Sequence, residues 1–490
     1  MITGSKGPAA ALAALLMLIG CSSGPDFRRP EAPAAQAYRA EPLPQTLGGE
    51  GEPVQRLIAG ADPGTQWWRG FESPALDQLV QRALSANQSV AAAAAALDEA
   101  QQLVKARSGA SLPQVDLDVG LGRQKYGAEF LGPLPKPPPF TYFAVGPSVH
   151  YTLDFTGGIS RGVEQQRALA EYRGQQLAAA QLAISGNAVV QALTIAALRA
   201  QLDTVKELLE RDQRNLDLVQ QAHEAGSVSQ LDVISAQSQL ASDTTELPPL
   251  RESLGVAEHA LAVILGAAPG DAALPELDLA HIVLPAKLPL SVPSELARRR
   301  PDILAAEAQL HAASAAVGIA QSNLYPHLTL TATYGQQSIR AADLFDPAST
   351  AWGLTSALVA PLFDGGRLRA QHRASLAALQ SSAANYRQTV LEALAQVANA
   401  LQALDQGAEQ LKAQANAQRA ASQTADLTRQ AYDAGEASVL QVLDAERRYQ
   451  QARLGYVRAQ AQRYLDTAQL FLALGAGMAS PETATTAFRN

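Results

Sequence analysis

Few residues in this chain could do chemistry, and their spacing argues against most reactions. Cys21 is the only cysteine in 490 residues. A lone thiol builds neither a disulfide framework nor a multi-thiolate metal site, which leaves modification of its own sulfur. His223-Glu224 begins the HExxH pattern of a zinc-binding helix, but Ser227 stands where the second histidine belongs, so no ligand pair forms. There is no GxxxxGK phosphate loop and no GxSxG nucleophile elbow. The seven histidines are dispersed. No metal, no catalytic group and no dissociable cofactor is expected. What remains is a set of polar side chains, Asp232, Tyr432, Gln441 and Asp444, placed close to two glycines, Gly226 and Gly435.

Those glycines lie in two copies of one corner. QQAHEAGSVSQLDVISAQSQL runs from Gln220 to Leu240, and RQAYDAGEASVLQVLDAERRY from Arg429 to Tyr449. They share Gln221/Gln430, Ala222/Ala431, Ala225/Ala434, Ser229/Ser438, Leu231/Leu440, Val233/Val442 and Ala236/Ala445 about the glycine. A glycine just past a helix accepts the left-handed conformation that a Cβ penalises, so each corner reads as a helix reversal.

The elements that must position the corners are also doubled. In each half a helix passes through a proline (Pro113, Pro326) into an alternating strand, and a second strand ends at a double glycine, Gly157-Gly158 or Gly365-Gly366. A long helix then runs to the corner, and a further helix follows. Leu198, Leu202, Val205, Leu209, Leu216 and Val219 form a heptad seam in the first half; Leu394, Val397, Leu401, Leu404, Ala408 and Leu411 form one in the second. From Gly158 to Gly226 such a helix is about 100 Å long at about 1.5 Å per residue. The resulting division is a leader over 1–20, a tether over 21–74, a first repeat over 75–264, a link over 265–293, a second repeat over 294–474 and a tail over 475–490. Within the first repeat the strands span 114–124 and 142–155 and the helices 158–225 and 228–264; within the second the strands span 327–337 and 352–363 and the helices 366–434 and 437–474.

Composition narrows the function class. A net charge of -8 argues against nucleic acid as the main partner, since phosphate neutralisation needs a basic surface. Aromatic residues are only 5%, which suits helices packed through small side chains. Lys6, the apolar run Ala9–Ile19 and Gly20 form a secretory leader. Leu18-Ile19-Gly20-Cys21 resembles a bacterial lipobox, which implies cleavage before Cys21, a diacylglyceryl and palmitoyl lipid on its sulfur, and, with Ser22 next, an outer-membrane destination. Beyond the leader, no run reaches the roughly 18 apolar residues of a spanning helix.

A membrane crossing would therefore need strands. Val115, Leu117, Val119 and Leu121 alternate with polar or small residues, as do Phe143 to Phe155 and Leu328 to Tyr334; Trp352 to Phe363 alternates less cleanly. A half-buried soluble sheet has the same alternation. If the strands do span lipid, four cannot close a barrel, and an open edge leaves unpaired backbone groups at several kcal/mol each. Two copies give eight strands, which fill with side chains; three copies give about 12, inside the known range of roughly 8 to 26.

Further motifs carry a family resemblance. GPDFRRPEAP after Cys21, VPSELARRRPDILAAEAQL, SNLYPHLTL, LFDGGR and YDAGEASVLQVLDAER make the chain similar to the TolC-type outer membrane efflux factors, in their lipoprotein branch of NodT-like and OprM-like proteins. The resemblance implies a mainly α, mixed α/β membrane protein: coiled-coil hairpins forming an α-barrel tunnel, with four transmembrane strands per chain. It implies a homotrimer closing a 12-stranded barrel, and partners in a periplasmic adaptor and an inner-membrane RND pump. The glycine corners become the periplasmic tips. By resemblance Asp232 ties the two hairpins together and Tyr432 is its partner, while Ala437 stands where the prototype has an arginine. Asp444 matches one constriction-ring aspartate, a ring that favours cations and divalent ions; Gln441 replaces a second. Arg298-Arg299-Arg300 reads as a packing element. Two other readings remain open, a type I protein-secretion duct and a lipid-anchored periplasmic scaffold or adaptor.

Overall fold

The computed structural model describes residues 23–477 apart from 32, 34, 36, 42–43, 49–52, 63 and 127–137. The leader, Cys21 and the tail beyond 477 lie outside the described residues. The chain forms two compact units. One gathers residues up to Pro30 with Ala96–Arg173 and Ala305–Tyr386; the other gathers Glu31–Ala95, Gly174–Leu304 and the chain from Arg387 onward.

The elements are, in chain order, β1 (Thr46–Leu47), β2 (Gln55–Ala59), α1 (Pro74–Ala86), α2 (Gln88–Gly109), β3 (Gln114–Gln124), β4 (Phe140–Leu153), α3 (Gly158–Glu224), α4 (Gln230–Thr244), α5 (Leu247–Ile264), β5 (Lys287–Leu290), α6 (Pro293–Arg299), α7 (Pro301–Ser322), β6 (His327–Ser338), β7 (Thr350–Val359), α8 (Arg367–Asp433) and α9 (Val439–Ala473).

The first unit is built on an antiparallel sheet in the order β3-β4-β6-β7. Its register pairs Val115 with Val149, Tyr151 with Leu330, and Tyr334 with Trp352. The β4–β6 ladder is interrupted at Gly146 and Pro147. Proline has no N–H to donate, and the glycine lets the two backbones close over the gap. β7 stops at Val359, short of the expected 363, with Pro361 just beyond it.

In the second unit the long helices carry the heptad seams. Val205, Leu216 and Val219 are buried on α3, and Val397, Leu401, Leu404 and Leu411 on α8. A small sheet pairs β1 with β2 antiparallel and β2 with β5 parallel. Beside it Trp67 stacks on Phe471 with ring centroids 5.2 Å apart, and Tyr464 donates to the Ile282 carbonyl at 2.9 Å. Arg300 is buried: it donates to the Ala473 carbonyl at 2.7 Å and to Gln396 and Asp302, which fits a packing role.

Two further expectations change. The single helix over 228–264 is two, α4 and α5, broken at Thr245–Glu246. Pro248 and Pro249 cannot donate to the carbonyls of residues 244 and 245, so a continuous helix loses two ladder bonds there. In addition, α3 and α7 each contain 18 residues apolar enough to cross a membrane. Half of each stretch is buried in the fold, as the core face of a soluble helix would be.

Candidate functional site

The sheet has one apolar face and one polar face, and the register makes each continuous. On one side stand Val115, Leu117, Val119 and Leu121 of β3, Phe143 to Leu153 at alternate positions of β4, Leu328, Leu330, Ala332 and Tyr334 of β6, and Trp352, Leu354 and Leu358 of β7. Ser356 interrupts this row, which is why the fourth strand alternates poorly in sequence. The opposite side carries Asp116, Asp118, Ser148, His150, Thr331, Thr333 and Thr355. The apolar residues of β3 and β7 are exposed: Val119 and Trp352 each keep 78% of their surface. Such a patch is far larger than scattered surface leucines and marks an interaction with lipid or protein. From Phe143 to Leu153 it has the length of a tilted span, roughly 9–11 residues. Tyr334 and Trp352 sit opposite each other towards the β6–β7 hairpin, while Leu362 and Phe363, almost fully exposed, lie at the helix end. Aromatic residues at both ends of an apolar band are what a lipid–water boundary selects.

A strap crosses the first unit just after the position of Cys21. Ser23 N–H donates to the Thr156 carbonyl at 3.2 Å, and Arg161 Nε donates to the Ser23 carbonyl at 3.1 Å. Gly24 takes φ +86 and presses its backbone against Gly318 of α7. Phe27 stacks on His311 at 4.3 Å, and Arg29 pairs with Glu307 at 2.6 Å. Arg161, 5% exposed, binds Asp26 at 2.6 Å and Glu164 at 2.7 Å; Glu164 also accepts from His311. No sequence pattern points to Arg161 or Gly318.

The double glycines form the strand-to-helix turns. Gly157 has φ +77, Gly365 +66 and Gly366 +87. Gly158 opens α3 against Ser322, where a Cβ would strike the hydroxyl. Two aspartates complete the turns. Asp154 accepts from the N–H groups of Ile159 and Ser160, and Asp364 from those of Gly366 and Leu368. The N–H of Leu368 is the main reason the Asp364 carboxyl is held below its ordinary range.

At the corners the duplication reaches individual hydrogen bonds. Gly226 and Gly435 have φ +76 and +79. Gly226 N–H donates to His223 and Ser227 N–H to Ala222; Gly435 N–H donates to Tyr432 and Glu436 N–H to Ala431. Both are the paired 5→2 and 6→1 bonds of a Schellman helix stop. The next helix opens with a capping box in each copy: Ser229 with Asp232, and Ser438 with Gln441. Ser229→Ala is expected to cost about 1 kcal/mol, read as about fivefold faster hydrogen exchange in the first turn of α4; unchanged exchange would refute the cap.

Within one chain the polar residues of the tips make local contacts. Among the described residues no hydrogen bond joins Asp232 to Tyr432 within the chain. Asp232 accepts from the hydroxyl and N–H of Ser229, which lower its pKa, and the Gln441 side chain accepts from the Ser438 N–H at 2.7 Å. The hairpins touch through Val233 and Ala236 packed with Val439 and Leu443, and through Arg211–Glu446 at 3.5 Å. Asp444 is not a bare carboxylate. Arg447 binds one oxygen at 2.6 Å and Arg448 the other at 2.9 Å, and the Arg447 hydrogen bond leads the effects that lower its pKa. Both pairs are exposed and lie within one helical turn.

Known proteins share this arrangement. The family described as outer membrane efflux protein matches residues 79–267 and 292–476. The chain is 32% identical over 421 residues to the pyoverdine export outer membrane protein OpmQ of Pseudomonas aeruginosa, covering 85% of this chain and 88% of that one. It is 30% identical over 474 residues to the toluene efflux pump outer membrane protein TtgF of Pseudomonas putida, covering 95% and 96%. The solved outer-membrane channel OprN superposes with a TM-score of 0.82 at 27% identity, over 93% of this chain and 99% of that one. Doubled hairpins and a four-stranded sheet with a continuous apolar face therefore have one common explanation: the chain belongs to the outer membrane efflux protein family, whose members are channels, not enzymes.

Proposed function

We propose that this protein is the exit duct of a tripartite efflux pump, carrying small organic molecules from the periplasm to the exterior. The observation that carries the reading is the apolar face that continues through all four strands, with β3 and β7 left as free edges. A free edge in lipid is unaffordable, so the sheet needs partners. Three copies supply about 12 strands and close a barrel wide enough to conduct. Cys21 carries the lipid that holds the chain to the outer membrane, and the strap that follows it in sequence is tied from Ser23 to the Thr156 carbonyl.

The long hairpins continue the duct as an α-barrel to the Schellman corners. There the region of Asp232, Tyr432, Gln441 and Asp444 forms the gate, and Gly226 and Gly435 meet a periplasmic adaptor. Transport energy comes from an RND-type inner-membrane pump, and the duct opens passively on docking. The named cargoes of the relatives, pyoverdine and toluene, fit a non-catalytic wall passing diverse small molecules.

The test is the mass and shape of the particle extracted from outer membranes in mild detergent, by light scattering and negative-stain imaging. A trimeric hollow cylinder longer than about 100 Å, as the helix rise requires, is expected. A monomer or dimer without a barrel would overturn the duct and favour a lipid-anchored scaffold.

A further inference from the structure

A polar crevice lies beside the break between α4 and α5. It has a volume of about 260 Å³, with Asp243 and Glu246 on one wall and Arg447 and Gln450 on another. Gln450 is 3% exposed, yet neither its amide nitrogen nor its oxygen has a hydrogen-bond partner. Asp212 of α3 meets the carboxyl of Asp243, which lines the crevice, and Asp212 Oδ2 is buried. Asp243 sits in the last turn of α4, where the helix dipole disfavours negative charge. Gln239 donates to Asp243 at 2.6 Å.

The nearby cations are otherwise engaged. Arg211 and Arg429 both point to Glu446, Arg447 points to Asp444, and Arg458, which also lines the crevice, donates to Gln201 at 3.1 Å. Among the described residues no salt bridge reaches Asp212 or Asp243. Two carboxyl groups in contact, with Glu446 behind them and no cation of their own, cannot both ionise without repulsion. Burial first, then the bond to Asp243, then the charges of Asp243 and Glu446, push Asp212 up to about 7.

We propose that Asp212 keeps its proton and donates it to Asp243, forming a proton-operated latch, which holds α4 against α3 in acid and releases the α4–α5 break when Asp212 ionises. The break is the natural place to yield. It lacks two ladder bonds at Pro248 and Pro249, and its wall holds an unsatisfied amide that water can satisfy on opening. The latch rests on the packing of this chain alone; its effect on conductance rests on the duct reading.

The sign follows from linkage. A carboxyl raised in the closed state stabilises that state fully below its ordinary value of 3.8, and this stabilisation is lost as pH rises to about 7. Closed-state protection should therefore fall by up to about tenfold per pH unit across that window and level off above it.

The experiment is hydrogen exchange on the full-length protein in detergent between pH 5 and 8, corrected for intrinsic rates, together with conductance in planar bilayers. In the wild type, protection around the α4–α5 break should fall by up to about a hundredfold from pH 5 to 7. Asp212→Asn, which keeps a donor to Asp243 and has no charge to gain, should be protected and flat across the range. A wild type without pH dependence, or an Asp212→Asn protein that keeps it, overturns the latch. If the duct reading also holds, the leak of the wild type rises from pH 5 to 7 and that of the variant does not. Absent conductance at every pH would count against the duct and leave the exchange result standing.

Discussion

Gly146→Val is expected to stop the four-stranded sheet from assembling. A Cβ at this position would run into the Tyr334 carbonyl and the Gly335 Cα, both parts of the backbone. Gly335 is equally confined, since its own Cβ would meet the Val145 carbonyl and the Gly146 Cα at 2.9 Å. An overpacked side chain usually costs about 1–3 kcal/mol because neighbours rotate away. A strand backbone cannot, so β4 and β6 must separate and lose hydrogen bonds on both sides of the Pro147 gap. In lipid each freed group adds several kcal/mol. We expect the membrane-inserted, heat-modifiable form to fall by tenfold or more, measured by gel mobility of outer-membrane extracts. Gly120→Ala is the control: its Cβ meets only that of Ala144, at 3.9 Å, and assembly should stay near wild type. Wild-type assembly of Gly146→Val would show that the strands part easily.

Gly318→Leu should detach the strap. Its Cβ would come within 2.7 Å of the Ser23 carbonyl and 2.8 Å of the Arg161 side chain. Displacing residues 23–29 breaks the bonds from Arg161 to Ser23 and Asp26 and leaves a buried guanidinium with Glu164 alone. Breaking a buried charge network typically costs about 3–5 kcal/mol. Asp26 is mostly exposed and worth little in this sum, so about 3 kcal/mol is the expected loss for the first unit. Limited proteolysis with mass spectrometry should find new cleavage before Pro30, and thermal unfolding should shift down. Arg161→Met attacks the same contacts, so the two losses should add to less than their sum. An intact strap in Gly318→Leu would refute the clamp.

The architecture was legible because it is periodic and doubled. Leu198 to Val219 and Leu394 to Leu411 announce their seams, the four strands announce an alternating face, and Gly226 and Gly435 announce helix stops with a matching serine three residues on. The helix break was equally available in Pro248-Pro249. The polar residues at the tips are less legible, because the contacts the family resemblance implies for them lie between hairpins. Ser229-x-x-Asp232 and Ser438-x-x-Gln441 are local capping patterns, and Arg447 and Arg448 stand one helical turn from Asp444; local geometry takes those side chains first. Other groups leave no trace in sequence. Arg161 meets Ser23 and Asp26 only after folding, and Asp212 meets Asp243 only because the chain reverses at Gly226. Such pairs depend on close approach in space, which no periodicity records.

On the polar face of the sheet, Gly120, Gly146, Gly335 and Gly353 lie with Ala144 and Ala351 in adjacent rows of the register. The same rows also carry Asp116, Asp118, Ser148, Thr333 and Gln337. At that level peptide groups alternate with a few polar side chains. At the four glycines nothing remains to remove, so every change at those positions narrows the passage, and it widens only by loss of the polar side chains beside them. A passing molecule finds no hydrophobic shelf on which to rest, which favours quick transit over recognition.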